Sequence, residues 1–149
     1  MAPDHRDPQP NRLQVAGAVV RLPVVLLMDD EDSILEPFGK LLEIDGFSVI
    51  TAHSGEEALA AARAAAGSGE RIDVAVLDLT IPGGMGGMET FRQLVVIDPA
   101  VQVIVTSGYL HPENSHDFDI RGFIGFLPKP FTWAELRNEV HTALNARGG

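Results

Sequence analysis

The chain contains no cysteine, so disulfides and thiolate metal sites are excluded and nothing argues for an oxidising compartment. Long apolar runs are missing too. Its hydrophobic stretches are strand-sized and broken by polar or turn residues within a few positions, too short for a membrane span. Positive charge is scarce: 11 Lys and Arg stand against 21 Asp and Glu. The formal net charge of -10 repels a phosphate backbone and disfavours direct nucleic-acid binding. The opening Met1 to Pro10 is rich in proline and charge and lacks a secretion-signal pattern, so a soluble, cytoplasmic protein without a membrane partner is expected. Its 149 residues suit one domain with a single core.

What is present is organised around Val74-Ala75-Val76-Leu77-Asp78 and the Pro82-Gly83-Gly84 turn that follows. Four apolar residues running into a carboxylate and then a turn place Asp78 at the carboxyl end of a buried strand. In an open parallel sheet ligands bind there. A carboxylate so placed is costly without a compensating cation or a covalent modification.

Residues 1 to about 12 read as a disordered polar lead. Leu13 to Arg21 leaves a short helix, an extra strand or sequence foreign to the fold all open, so residues 1–21 are expected to be flexible or weakly structured. Val24 to Met28 reads as a central strand that stops at Asp29-Asp30-Glu31-Asp32. Ser33 to Asp45 has helical spacing, with Pro37 in about its first turn. Phe47 to Ala52 is a strand, and Ser54-Gly55-Glu56-Glu57 is a capping box opening a helix that ends near Gly67. Ile72 to Asp78, Val101 to Thr106 and Phe123 to Leu127 complete five strands. Met88 to Ile97, a weakly patterned His111 to Ile120, and a last helix capped by Thr132 and Glu135 supply the remaining helices. Strands alternating with helices give an α/β fold with a doubly wound parallel sheet covered on both faces.

Strand ends then bring Asp29, Asp30, Asp78, Thr106, Ser107 and Lys129 to one edge of the sheet. Clustered carboxylates repel one another, and a hard divalent cation with oxygen ligands, Mg2+ above all, relieves that. With such a cation, a phosphoryl group could pass to Asp78 while Lys129 and a hydroxyl neutralise its outer oxygens. Taken singly each feature has a plainer reading. The acidic run could only cap a helix, Asp78 could start an Asx-turn, and Lys129 could sit in an exposed turn. Gly83-Gly84-Met85-Gly86-Gly87 lacks the Gly-Lys-Ser/Thr end of a phosphate loop, and the five histidines show no metal spacing. Only the coincidence of the features favours the sharper reading.

Met28-Asp29-Asp30-Glu31, Leu77-Asp78-Leu79-Thr80-Ile81-Pro82-Gly83, Val105-Thr106-Ser107-Gly108 and Leu127-Pro128-Lys129-Pro130-Phe131 together resemble the motifs of the response-regulator receiver domain of two-component signalling. The stretch from Ile81 to Gly87 also looks like receivers of hybrid sensor histidine kinases. The resemblance covers roughly Leu22 to Leu144 and implies a receiver domain over residues 22–146, without an output domain in this sequence. It implies a flavodoxin-like, five-stranded sheet of order 2-1-3-4-5. Asp78 is then the phospho-acceptor. Asp29, Asp30, Asp78 and the Thr80 carbonyl are the Mg2+ ligands, Asp29 through water. Ser107, which lies 22 positions before Lys129, is the switch hydroxyl, and Phe126 is the aromatic switch. Lys129 pairs with Asp78 or its phosphoryl group, across an expected cis Lys129-Pro130 bond. Thr80 and Tyr109 flank the path of the hydrolytic water, with bulky Tyr109 obstructing it. The implied partners are a histidine kinase or histidine phosphotransfer protein and a downstream protein on the face of the fourth helix, fifth strand and fifth helix. Two alternatives differ in mechanism. A Mg2+-dependent aspartyl-phosphate phosphatase would need an acid where Thr80 stands, and a phosphorylation-independent docking receiver would not need the complete acceptor site seen here.

Overall fold

The computed structural model describes residues 12–80, 85–108 and 124–148. Strands β1 (Arg12–Val15) and β2 (Ala18–Arg21) open it as an antiparallel hairpin. Valines at 15, 19 and 20 favour strands, and the two turn residues Ala16 and Gly17 take positive φ (52° and 80°), as a tight hairpin turn requires. Of the alternatives open for Leu13 to Arg21, the extra strand is the one realised, doubled into a ribbon.

The remaining elements alternate: β3 (Val24–Met28), α1 (Asp32–Ile44), β4 (Ser48–Ala52), α2 (Gly55–Gly67), β5 (Val74–Asp78), α3 (Gly87–Ile97), β6 (Gln102–Ser107), β7 (Gly125–Pro128) and α4 (Trp133–Gly148). The sheet is parallel throughout, in the order β4-β3-β5-β6-β7. Counted from β3, this is the expected 2-1-3-4-5. The chain steps from β3 outward to β4 and then crosses back to β5, so the order reverses between β3 and β5. Their carboxyl ends flank the crevice where such sheets bind ligands.

The unbroken apolar runs of β3 and β5 divide by parity between two cores. Leu26, Met28, Ala75 and Leu77 pack with Ala58, Leu59, Phe91 and Leu94 of α2 and α3. Val25, Leu27, Val74 and Val76 pack with Leu35, Leu42, Leu136 and Val140 of α1 and α4. This double covering is what a buried parallel strand requires, and the same alternation puts Asp78 on the α1–α4 side of β5.

Element ends differ from the sequence reading by a residue or two. One difference matters chemically: β6 extends to Ser107, which is fully buried as the last strand residue. Another is Pro37, which lies inside α1, beyond its first turn. At Ser54 the cap is as expected on one side, since its hydroxyl accepts from Glu57 N at 3.2 Å. The Glu57 carboxylate, however, reaches back to His53 N (3.0 Å). Thr132 and Glu135 form the fully reciprocal box, with Glu135 N donating to the Thr132 hydroxyl (3.1 Å) and Thr132 N to the Glu135 carboxylate (2.9 Å). The lead before residue 12, the weakly patterned His111 to Ile120 and Phe123 lie outside the described residues. Among those described, no helix is long and apolar enough to cross a membrane.

Candidate functional site

Backbone bonds continue the sheet ladder past the strand ends and thereby assemble the site. Asp29 N donates to Ala52 O (3.0 Å), Leu79 N to Thr106 O (2.9 Å) and Lys129 N to Ser107 O (2.9 Å). Residues far apart in the chain are fixed side by side at the crevice, and the Lys129-Pro130 bond is cis, as expected.

Asp29 is 2% exposed, and its Oδ1 accepts from Glu31 N at 2.9 Å. Glu31, the N-cap of α1, makes no side-chain cap bond. The acidic run is therefore more than a helix cap: its first member folds inward and closes a turn, leaving Asp30 and Glu31 exposed at the mouth. Asp78 is 1% exposed. Its Oδ1 accepts from both the backbone N–H (2.9 Å) and the hydroxyl (2.8 Å) of Thr80. Its Oδ2 faces the Lys129 ammonium at 2.9 Å. Lys129 also lies 2.7 Å from Asp29 Oδ2, so one cation ties two buried carboxylates together.

The charges respond to these surroundings. Burial pushes the Asp29 carboxyl up, against the downward pull of Lys129 and the Glu31 N–H. For Lys129, burial works to lower its pKa, but hydrogen bonds to Asp29 and Asp78 outweigh it and hold the ammonium above 10.5. The centre is thus an ionic triad with more acid than base. Carboxylate oxygens of Asp29, Asp30 and Glu31 all lie within 4.8 Å of one another. A compact set of hard oxygen donors of this kind, one of them buried and under-neutralised, fits a small divalent cation. Asp78 stands outside that set, bound to Lys129 and Thr80.

The structure brings Asp29, Asp78, Thr80 and Lys129 into direct contact and puts Asp30 at the mouth. Ser107 is buried at the end of β6, beside Lys129 N through its carbonyl. Phe126, half-buried in β7, packs against the core on the α2–α3 side, away from the ionic triad. Tyr109 lies outside the described residues. Sequence reasoning missed Glu31 as a member of the acid set, the Lys129–Asp29 pair and the Thr80 hydroxyl on Asp78. For the last there was a signal, a hydroxyl residue two positions beyond a strand-end aspartate, which is the geometry of an Asx-type turn.

Known proteins resemble this chain in sequence and in fold. A family model described as the response regulator receiver domain matches residues 25–141. A cyclic di-GMP phosphodiesterase of Thermotoga maritima is 32% identical over 123 residues, 83% of this chain and 31% of that protein. Sensor kinase CckA of Brucella abortus is 32% identical over 120 residues, 80% of this chain and 12% of the kinase. The chain thus spans under a third of each of these relatives. Among solved structures, the CheX-CheY-BeF3-Mg+2 complex of Borrelia burgdorferi aligns with a TM-score of 0.71 at 27% identity, over 80% of this chain and 87% of that one.

Proposed function

This chain belongs to the response regulator receiver domain family of two-component signalling, and from that premise we propose that it is a phosphorylation-operated switch with Asp78 as the acceptor. The observation that carries the reading is the buried Asp78 carboxylate at the end of β5 with the Lys129 ammonium 2.9 Å away. An Asp78 oxygen attacks the phosphorus of a phosphohistidine on a kinase or phosphotransfer protein. The O–P bond forms, the P–N bond breaks, and its electron pair leaves with the imidazole. Lys129 turns from the free carboxylate toward the arriving phosphoryl oxygens, and the Ser107 hydroxyl donates to them from the end of β6.

Asp29 and Asp30, with Glu31 beside them, form a close set of oxygen donors that would hold Mg2+, and Asp78 and the Thr80 carbonyl would complete the site on the family pattern. When bound, the cation supplies positive charge to the phosphoryl oxygens and relieves the acid surplus left by Lys129. The related CheX-CheY-BeF3-Mg+2 complex is consistent with such a site. The acyl phosphate then biases a two-state face that includes Ser107, Phe126, β7 and α4, to which a downstream protein binds. Thr80, which contacts the acceptor, and Tyr109, which the resemblance pairs with it, set how long the phosphate lasts.

Incubation with acetyl phosphate and Mg2+, read by intact mass and peptide mapping, tests the proposal. A single Mg2+-dependent phosphoryl adduct on Asp78, absent in Asp78→Asn, is expected. Labelling that ignores Mg2+ or maps elsewhere would overturn it.

A further inference from the structure

Thr80 gives both of its donors to one atom. Its N–H and its hydroxyl lie 2.9 and 2.8 Å from Asp78 Oδ1, while Asp78 Oδ2, among the described residues, faces the Lys129 ammonium at 2.9 Å. Any residue other than proline at position 80 supplies the N–H. The hydroxyl comes from this threonine's side chain.

A donor bonds an ionised oxygen about twice as strongly as a neutral one. Resting on Asp78 as the acceptor, we infer that the Thr80 hydroxyl is a positioning group that stabilises the free carboxylate over its phosphorylated form and so biases the domain toward the unphosphorylated state. With acetyl phosphate as donor, Oδ2 attacks phosphorus, the O–P bond forms, and the P–O bond to acetate breaks. Acetate leaves with the electron pair and no proton moves. Oδ1 thereby changes from a carboxylate oxygen into the carbonyl oxygen of a mixed anhydride, and the bond from the Thr80 hydroxyl weakens. In the transition state this loss is partly complete. The hydroxyl therefore slows entry of the phosphoryl group and speeds its departure. This differs from a steric effect of residue 80 on water, because valine has the shape of threonine without the donor.

The test compares wild type, Thr80→Val and Thr80→Ser with Mg2+ and acetyl phosphate, measuring the rate constant for labelling and, after donor removal, the rate constant for loss. In Thr80→Val labelling should quicken and loss should slow, the two changes multiplying to about fivefold, equivalent to about 1 kcal/mol, the gap between charged and neutral hydrogen bonds. Thr80→Ser should stay within about twofold of wild type, because it keeps the donor. An unchanged product of the two rate changes in Thr80→Val, or an equal shift in Thr80→Ser, overturns the inference while the acceptor reading stands. A wild-type protein that takes no label on Asp78 overturns both. If Thr80→Val does not fold, Thr80→Ala gives the same contrast with Thr80→Ser.

Discussion

The ammonium of Lys129 lies 2.9 Å from the Asp78 carboxylate across 51 positions of sequence, and the same nitrogen is 2.7 Å from Asp29. One cation therefore serves two nearly inaccessible acids. Removing it leaves like charges side by side in a poorly solvated crevice, which is far costlier than losing an exposed ion pair.

Lys129→Met should accordingly destabilise the metal-free domain by about 3 kcal/mol in urea unfolding. Adding Asp29→Asn removes one of the stranded charges and should recover much of that loss. A double variant no more stable than Lys129→Met would mean that the lysine acts through packing.

Two glycines should respond in opposite directions to alanine. A Cβ on Gly87 would meet the Asp78 carbonyl oxygen at 2.6 Å and Leu79 Cα at 2.8 Å, both backbone atoms that cannot yield. Gly87→Ala should cost about 1–3 kcal/mol and disturb the acceptor. In the interior of α1, a Cβ on Gly39 would meet nothing nearer than 3.7 Å. Gly39→Ala should stabilise by up to about 1 kcal/mol through helix propensity. Thermal unfolding of the two variants checks the pair, and a stabilised Gly87→Ala would contradict the close approach of α3 to β5.

Asp45, at the C-cap of α1, ties that helix to α4. His141 Nε2 lies 2.7 Å and Arg137 Nε 3.1 Å from its two oxygens. Chiefly through the His141 hydrogen bond, its carboxyl is held below the usual 3.8. A carboxyl with a lower pKa folded than unfolded stabilises the fold above the unfolded value and loses that contribution as pH falls through the folded one. Asp45→Asn should lower the melting temperature at neutral pH, and the gap from wild type should close as pH drops below about 3.8. A gap that stays constant into acid would contradict the clamp.

The sheet and the gathering of Asp29, Asp30, Asp78, Ser107 and Lys129 were legible because apolar runs ending in polar residues mark the carboxyl ends of parallel strands. Parity could not be read from those runs alone, since a strand buried on both faces shows no alternation. The hairpin at Arg12–Arg21 was not legible, because four-residue strands are too short to separate a period of 2 from one of 3.6. Periodicity also says which way a side chain faces and nothing of its distant partner. For this reason the Lys129–Asp29 contact and the turn of Glu57 back to His53 emerged only in three dimensions. The Thr80–Asp78 bond is different: it was missed, but it is local, and the spacing carried a signal for it.

The central claim is that these acids, the amine and the hydroxyl share one cation and one phosphoryl group. A crystal structure grown with Mg2+ and beryllium fluoride tests it most directly. The cation should lie about 2.1 Å from the carboxylate oxygens that ligate it directly, with the remaining members of Asp29, Asp30 and Asp78 reached through one water, and fluoroberyllate should sit on Asp78. Lys129 should then have moved from the free carboxylate to a fluorine. Fluoroberyllate absent from Asp78, or a cation held away from Asp30, would contradict it.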